Sequence, residues 1–110
     1  AAAVASAAGL PPSAVLAGRL SLTGLAALVA RARLVVSNDT GVAHLASAYG
    51  VPSVVLFGPT PPAAWGPPAH GPHVALWHGP AGDPHGRELD PALARIQPGE
   101  VLDAVATLLR

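Results

Sequence analysis

The chain has no cysteine, no lysine and, in its first 82 residues, a single acidic side chain, Asp39. Without cysteine there are no disulfides, no zinc thiolates and no thiol nucleophile, and nothing marks an oxidising compartment, so a cytoplasmic location is expected. Six arginines balance six acidic residues, for a formal net charge of zero. Such a chain has no field to steer it towards nucleic acid or an anionic membrane. Aromatic residues make up only 4%, and the 51% hydrophobic content is inflated by alanine, which buries little area. At 110 residues this predicts one small domain with a thinly packed core.

Residues 40–82 carry no formally charged side chain, yet eight prolines and seven glycines interrupt them. No run approaches the roughly 20 apolar residues of a spanning helix, so no transmembrane segment is expected. Residues 1–8 are apolar but lack a basic leading region and an initiator Met. They read as the tail of a helix in a longer chain, not as a signal peptide.

What is present alternates between strand and helix patterns. Residues 14–17 read as a short apolar strand ended by Gly18, and Ser21 is a plausible N-cap for a helix with Leu22, Leu25, Leu28, Val29 and Ala32 on one face. Residues 34–37 and 53–57 are unalternated apolar runs, separated by a helix over residues 40–49 that stops at Gly50. In that helix Val42, Leu45, Ala46 and Tyr49 make the inward stripe. Residues 73–77 form one more candidate strand, and residues 58–72 and 79–86 are loop. A last amphipathic helix opens at Pro98 and carries Val101, Leu102, Val105, Leu108 and Leu109. Continuous apolar strands joined by helices predict an α/β fold, a Rossmann-like parallel sheet covered on both faces.

In open sheets of this kind ligands sit at the carboxyl ends of the strands, and Asp39 lies at such an end. Thr40 and Gly41 begin the next helix, whose free N–H groups and positive dipole end attract phosphate, and glycine lets an anion approach the backbone. His44 follows one turn later on the same stripe and is able to donate to the same anion. A carboxylate beside a phosphate site must serve another purpose, such as accepting from sugar hydroxyls. Taken singly, Asp39 is more often just an N-cap and His44 a structural or exposed histidine. His70, His73, His78 and His85 match no standard metal spacing, and no metal is expected. Trp65 and Trp77 are read as packing residues, and Asp83, Glu88 and Asp90 as solvated loop charges. Neither a Walker motif nor a G-x-G-x-x-G fingerprint occurs.

The block Val35-Val36-Ser37-Asn38-Asp39-Thr40-Gly41-Val42-Ala43-His44-Leu45-Ala46 contains a D-T-G-x-x-H pattern. Gly50-Val51-Pro52, Phe57-Gly58-Pro59-Thr60-Pro61 and Ile96-Gln97-Pro98-Gly99-Glu100-Val101 follow it, and Gly18-Arg19-Leu20-Ser21-Leu22 precedes it. In this order and spacing the chain resembles glycosyltransferase family 9, the heptosyltransferase family of GT-B enzymes. The resemblance implies that residues 1–110 are part of a C-terminal domain that binds a nucleotide-sugar donor, with the N-terminal acceptor domain absent. It implies sugar transfer, with inversion, from a nucleotide-diphosphate donor such as ADP-heptose to a lipopolysaccharide or other glycan acceptor. No cofactor and no metal are required.

By motif match Asp39 holds sugar hydroxyls, Thr40 and Gly41 the diphosphate, and His44 the phosphate-sugar region. Leu20 packs on the base, and Gly58 and Thr60 line the cleft. No catalytic residue is expected within the chain, because the family's base belongs to the N-terminal domain. The family's basic phosphate-binding residue also precedes this segment, so Arg19 is the residue that would stand in for it, although a surface role suits it better. The expected partners are the donor and, through the other domain, a glycan or lipid-linked acceptor, with peripheral membrane association of the parent enzyme and no nucleic acid. The competing expectation is a non-catalytic Rossmann-like remnant or interaction domain.

Overall fold

The computed structural model describes residues 1–68, 71–83 and 89–110, with backbone alone at residues 64 and 65. Its centre is a three-stranded parallel sheet of β1 (Val35–Asn38), β2 (Ser53–Leu56) and β3 (His73–Leu76), in the order β1-β2-β3. Val36 pairs with Val54, and Val54 with Val74. Helix α1 (Ala2–Ala7), a 3-10 turn (Pro12–Ala14) and α2 (Leu22–Arg31) precede the sheet. Helix α3 (Gly41–Ala48) links β1 to β2, and the short α4 (Pro62–Trp65) lies between β2 and β3. The chain ends with α5 (Pro91–Ala94) and α6 (Pro98–Leu108).

Local chemistry sets the helix boundaries. The Ser21 hydroxyl accepts the Gly24 N–H at 3.0 Å and caps α2. Gln97 and Glu100 form a capping box at α6, with Pro98 in the first turn. Helix α3 ends in a Schellman motif: the Val51 N–H donates to the Ala46 carbonyl at 2.9 Å and the Gly50 N–H to Ser47 at 3.2 Å. Gly50 carries the required positive φ of 68°.

Both faces of β2 are covered. Val55 and the adjoining Phe57 pack with Ala43 of α3 and with Trp77, all three of the former being buried. Alternation sends Val54 to the other face, where it is also 0% exposed and where α6, the other helix packed on β2 and β3, covers it. A second cluster of Val29, Ala46 and Val51, with Leu25, Val35 and Leu45 around it, joins α2 to α3 and the sheet. The edge strand β1 is less protected, and Val36 is 47% exposed. Among the described residues no helix is long and apolar enough to cross a membrane.

Several expectations need correction. Residues 14–17 form no strand. The Val15 N–H bonds back to Pro12, and the Leu16 carbonyl accepts from Arg19, so this backbone is satisfied in local turns. Tyr49 is 51% exposed because α3 stops at Ala48 and the chain reverses at Gly50; the buried stripe is Ala43 and Ala46, small residues that let the helix sit close to the sheet. Leu22, Leu28 and Leu102 face outwards, leaving Val29 and Ala104 as the buried positions of α2 and α6. Within the supposed loops lies α4, and α5 begins at Asp90, whose carboxylate caps it instead of standing free in solvent. His70, His85 and Glu88 lie outside the described residues, as does the side chain of Trp65.

Candidate functional site

Because the sheet is parallel, the carboxyl ends of β1 and β2 lie side by side. A cleft of about 270 Å³ opens there. One side is Asn38, Asp39 and Thr40, where β1 passes into α3; the other is Leu56 with Gly58, Pro59 and Thr60, where β2 gives way to loop. Leu93 of α5 completes the lining. The structure thus gathers four of the residues singled out in the sequence, Asp39, Thr40, Gly58 and Thr60, around one cavity.

Asp39 is not the N-cap. That position is held by Thr40, with extended backbone and no side-chain bond to the helix. Asp39 is half-buried, and among the described residues its carboxylate has no hydrogen-bond or ion-pair partner. The N–H groups of Gly41 and Val42 likewise donate to nothing among the described residues. They are the first free donors of α3, at the positive end of its dipole. A methyl group added at Gly41 would meet no atom within 4 Å. Internal packing therefore does not demand glycine there, and the backbone stays open to approach.

His44 and Leu20 stand apart from this cleft. His44 is exposed on the second turn of α3 and is not part of the lining. Leu20, 40% exposed, lines a separate apolar cleft of about 310 Å³ with Leu16, Ala17, Gly18, Leu25 and Leu28. Arg19 borders a third cavity, of about 610 Å³, against α1 and the 3-10 turn. Among the described residues no cationic side chain lines the Asp39 cleft.

Two further histidines, His73 and His78, have structural partners. Ser53, 0% exposed, lies 2.7 Å from His73 Nδ1, and His78 Nε2 lies 2.5 Å from Glu100 Oε1. Glu100 is held below the usual carboxylate range chiefly by the Gln97 backbone N–H; desolvation opposes this, and the hydrogen bond and charge of His78 add to the lowering. Among the described residues no three His, Asp or Glu side chains gather as metal ligands would.

Sequence reasoning missed what holds the far wall of the cleft. The indole N–H of Trp77 donates to the Gly58 carbonyl at 2.9 Å, and the Gly82 N–H to Pro59 at 2.8 Å. Asp90 accepts from Ala92 N–H at 2.9 Å and Leu93 N–H at 3.4 Å, which sets Leu93 against Gly58. Asp90 followed by Pro91 repeats the cap-then-proline pattern of Gln97-Pro98, and that was the available signal.

Residues 1–83 match the family model described as glycosyltransferase family 9 (heptosyltransferase). The chain belongs to glycosyltransferase family 9. Among its relatives, lipopolysaccharide heptosyltransferase 1 of Pseudomonas aeruginosa is 55% identical over 60 residues, covering 54% of this chain and 17% of that protein. Lipopolysaccharide heptosyltransferase 3 of Escherichia coli is 33% identical over 104 residues, 90% of this chain and 30% of that protein. The crystal structure of a family 9 glycosyl transferase from Veillonella parvula superposes with a TM-score of 0.69 at 31% identity, over 84% of this chain and 28% of that one. This family 9 chain therefore spans less than a third of the length of each of these relatives. The Veillonella protein shares the α/β architecture described above.

Proposed function

We propose that this chain is the donor-binding part of an inverting GT-B heptosyltransferase, which transfers heptose from ADP-heptose to a lipopolysaccharide or related glycan acceptor. Asp39 accepts hydrogen bonds from sugar hydroxyls. Thr40 and the N–H groups of Gly41 and Val42 receive the diphosphate, with His44 turning towards the phosphate-sugar region. Leu20 and its apolar cleft take the base, while Gly58 and Thr60 bound the sugar. The reading requires no metal and no cofactor. The acceptor half and the base that deprotonates the acceptor hydroxyl belong to further polypeptide, and the parent enzyme works in the cytoplasm, at the membrane surface.

The observation that carries this reading is the Asp39 carboxylate: half-buried, unpartnered among the described residues, and set in a cleft beside the free amides of α3. Its oxygens are engaged by no described protein donor and so are available to accept from the hydroxyls of a bound sugar. In a single displacement at the anomeric carbon, charge develops on the departing nucleoside diphosphate. The α3 amides and a ring N–H of His44 are the groups suited to stabilise it.

A second reading has an observation of its own. Among the described residues the cleft lining has no cation, and Leu20 lies in a different cavity, both of which suit a fold that has kept its core but not its chemistry. Ligand-observed NMR of ADP, ADP-heptose and UDP-sugars against the folded chain separates the two. ADP-selective binding that disappears in Asp39→Ala is the expected result; a folded chain that binds none of them supports the remnant.

A further inference from the structure

Among the described residues lining the cleft, Leu93 alone lies beyond residue 83, where the family match ends. It is carried by α5, a helix of four residues that cannot hold itself. Its position is nonetheless closely determined. Asp90 caps the helix, and Ala92 is buried beneath it at 1% exposure. A methyl group at Gly58 would stand 3.1 Å from Leu93 Cβ and 3.5 Å from Asp90, and one at Gly82 would stand 2.6 Å from Asp90 Oδ2. Two glycines, each in a loop tied down by a hydrogen bond, thus leave room for Asp90 and Leu93 to close on the β2 exit.

The cleft consequently has two characters. Asn38, Asp39 and Thr40 offer hydrogen-bonding groups, whereas Leu56 and Leu93 offer hydrocarbon. A sugar ring has the same division, with hydroxyls around its edge and C–H groups on its faces. In a cavity of about 270 Å³ any change of bulk at residue 93 is felt directly by the ring.

We propose that Leu93 is a specificity-determining residue for the donor sugar: it takes a C–H face of the ring and fixes the orientation in which Asp39 and Thr40 meet the hydroxyls. This inference rests on the donor-binding reading above. It separates the sugar from the nucleotide, because Leu93 shares no cavity with Leu20.

The test titrates the unaltered chain, Leu93→Phe, Leu93→Met and Asp39→Ala with ADP and with ADP-heptose by ligand-observed NMR, the amide spectrum of each variant reporting its fold. Leu93→Phe should weaken ADP-heptose roughly tenfold or more while ADP changes by less than about twofold, and Leu93→Met should retain both. Equal loss of both ligands in Leu93→Phe, or no loss of either, overturns the role assigned to Leu93 even if Asp39→Ala still weakens ADP-heptose. Failure of the unaltered chain to bind either ligand, or indifference to Asp39→Ala, overturns the donor reading and this inference with it.

Discussion

Trp77 and Gly58 are joined by a 2.9 Å hydrogen bond from the indole to the backbone carbonyl, which fastens the exit of β3 to the loop that walls the cleft. The same ring packs against the buried cluster of Ala43, Val55 and Phe57. One side chain therefore links the core to the site. Trp77→Phe keeps most of the packing but leaves the Gly58 carbonyl without its donor. The expected cost is about 1–2 kcal/mol, measured as a lower urea midpoint. ADP-heptose affinity should fall as well, since the loop is less firmly placed.

Asp90 caps α5 with Oδ1 while its Oδ2 fills the space at Gly82. Gly82→Ala must push that carboxylate aside, and turning it sacrifices the cap. Each single change, Gly82→Ala and Asp90→Ala, should destabilise by about 1 kcal/mol, the usual value of a cap. Their effects should not add, because both remove the same interaction. A double-mutant cycle by urea denaturation checks this: additive losses would show that the cap survives in Gly82→Ala.

Glu100 has a folded-state pKa below its ordinary value of 4.5. A lowered carboxylate stabilises the fold above its unfolded pKa, and that contribution disappears as pH falls through the folded value. Gln at this position still accepts the Gln97 N–H, which Glu100 Oε2 now receives at 2.7 Å, but it does not titrate. The urea midpoint of the native chain should therefore decline more steeply than that of Glu100→Gln as pH is lowered from 4.5. Because the pair with His78 is solvent-exposed, the difference should be small and should shrink in high salt.

The strands and helices that carry the cleft were legible in the sequence because each has a period and a boundary signal of its own. Ser21, Pro98 and Gly50 all act where their chemistry says they should. Residues 14–17 were misread because an apolar run does not reveal whether a neighbouring strand is there to accept its hydrogen bonds. Asp90 was misread for the opposite reason: its local cap signature was present, but it was taken with its acidic neighbours as loop. Spacing alone also could not decide whether Asp39 or Thr40 caps α3, and that choice determines whether the carboxylate is free. Nor does the distance in sequence between Leu20 and Asp39 say that they line different cavities, which is a tertiary fact.

Gly41 gives the sharpest separation of fold from function. Its φ is not positive and no atom crowds the place of its missing Cβ, so neither backbone nor packing requires glycine. In the first turn of a helix Gly→Ala reduces the entropy of the unfolded chain and should stabilise the protein by about 0.4–1 kcal/mol. If the α3 amides receive a diphosphate, the added methyl group stands where the anion must approach. Gly41→Ala is thus expected to raise the urea midpoint and weaken ADP binding together, a combination that damage to the fold cannot produce. A more stable variant with unchanged ADP affinity would mean that the nucleotide does not reach these amides.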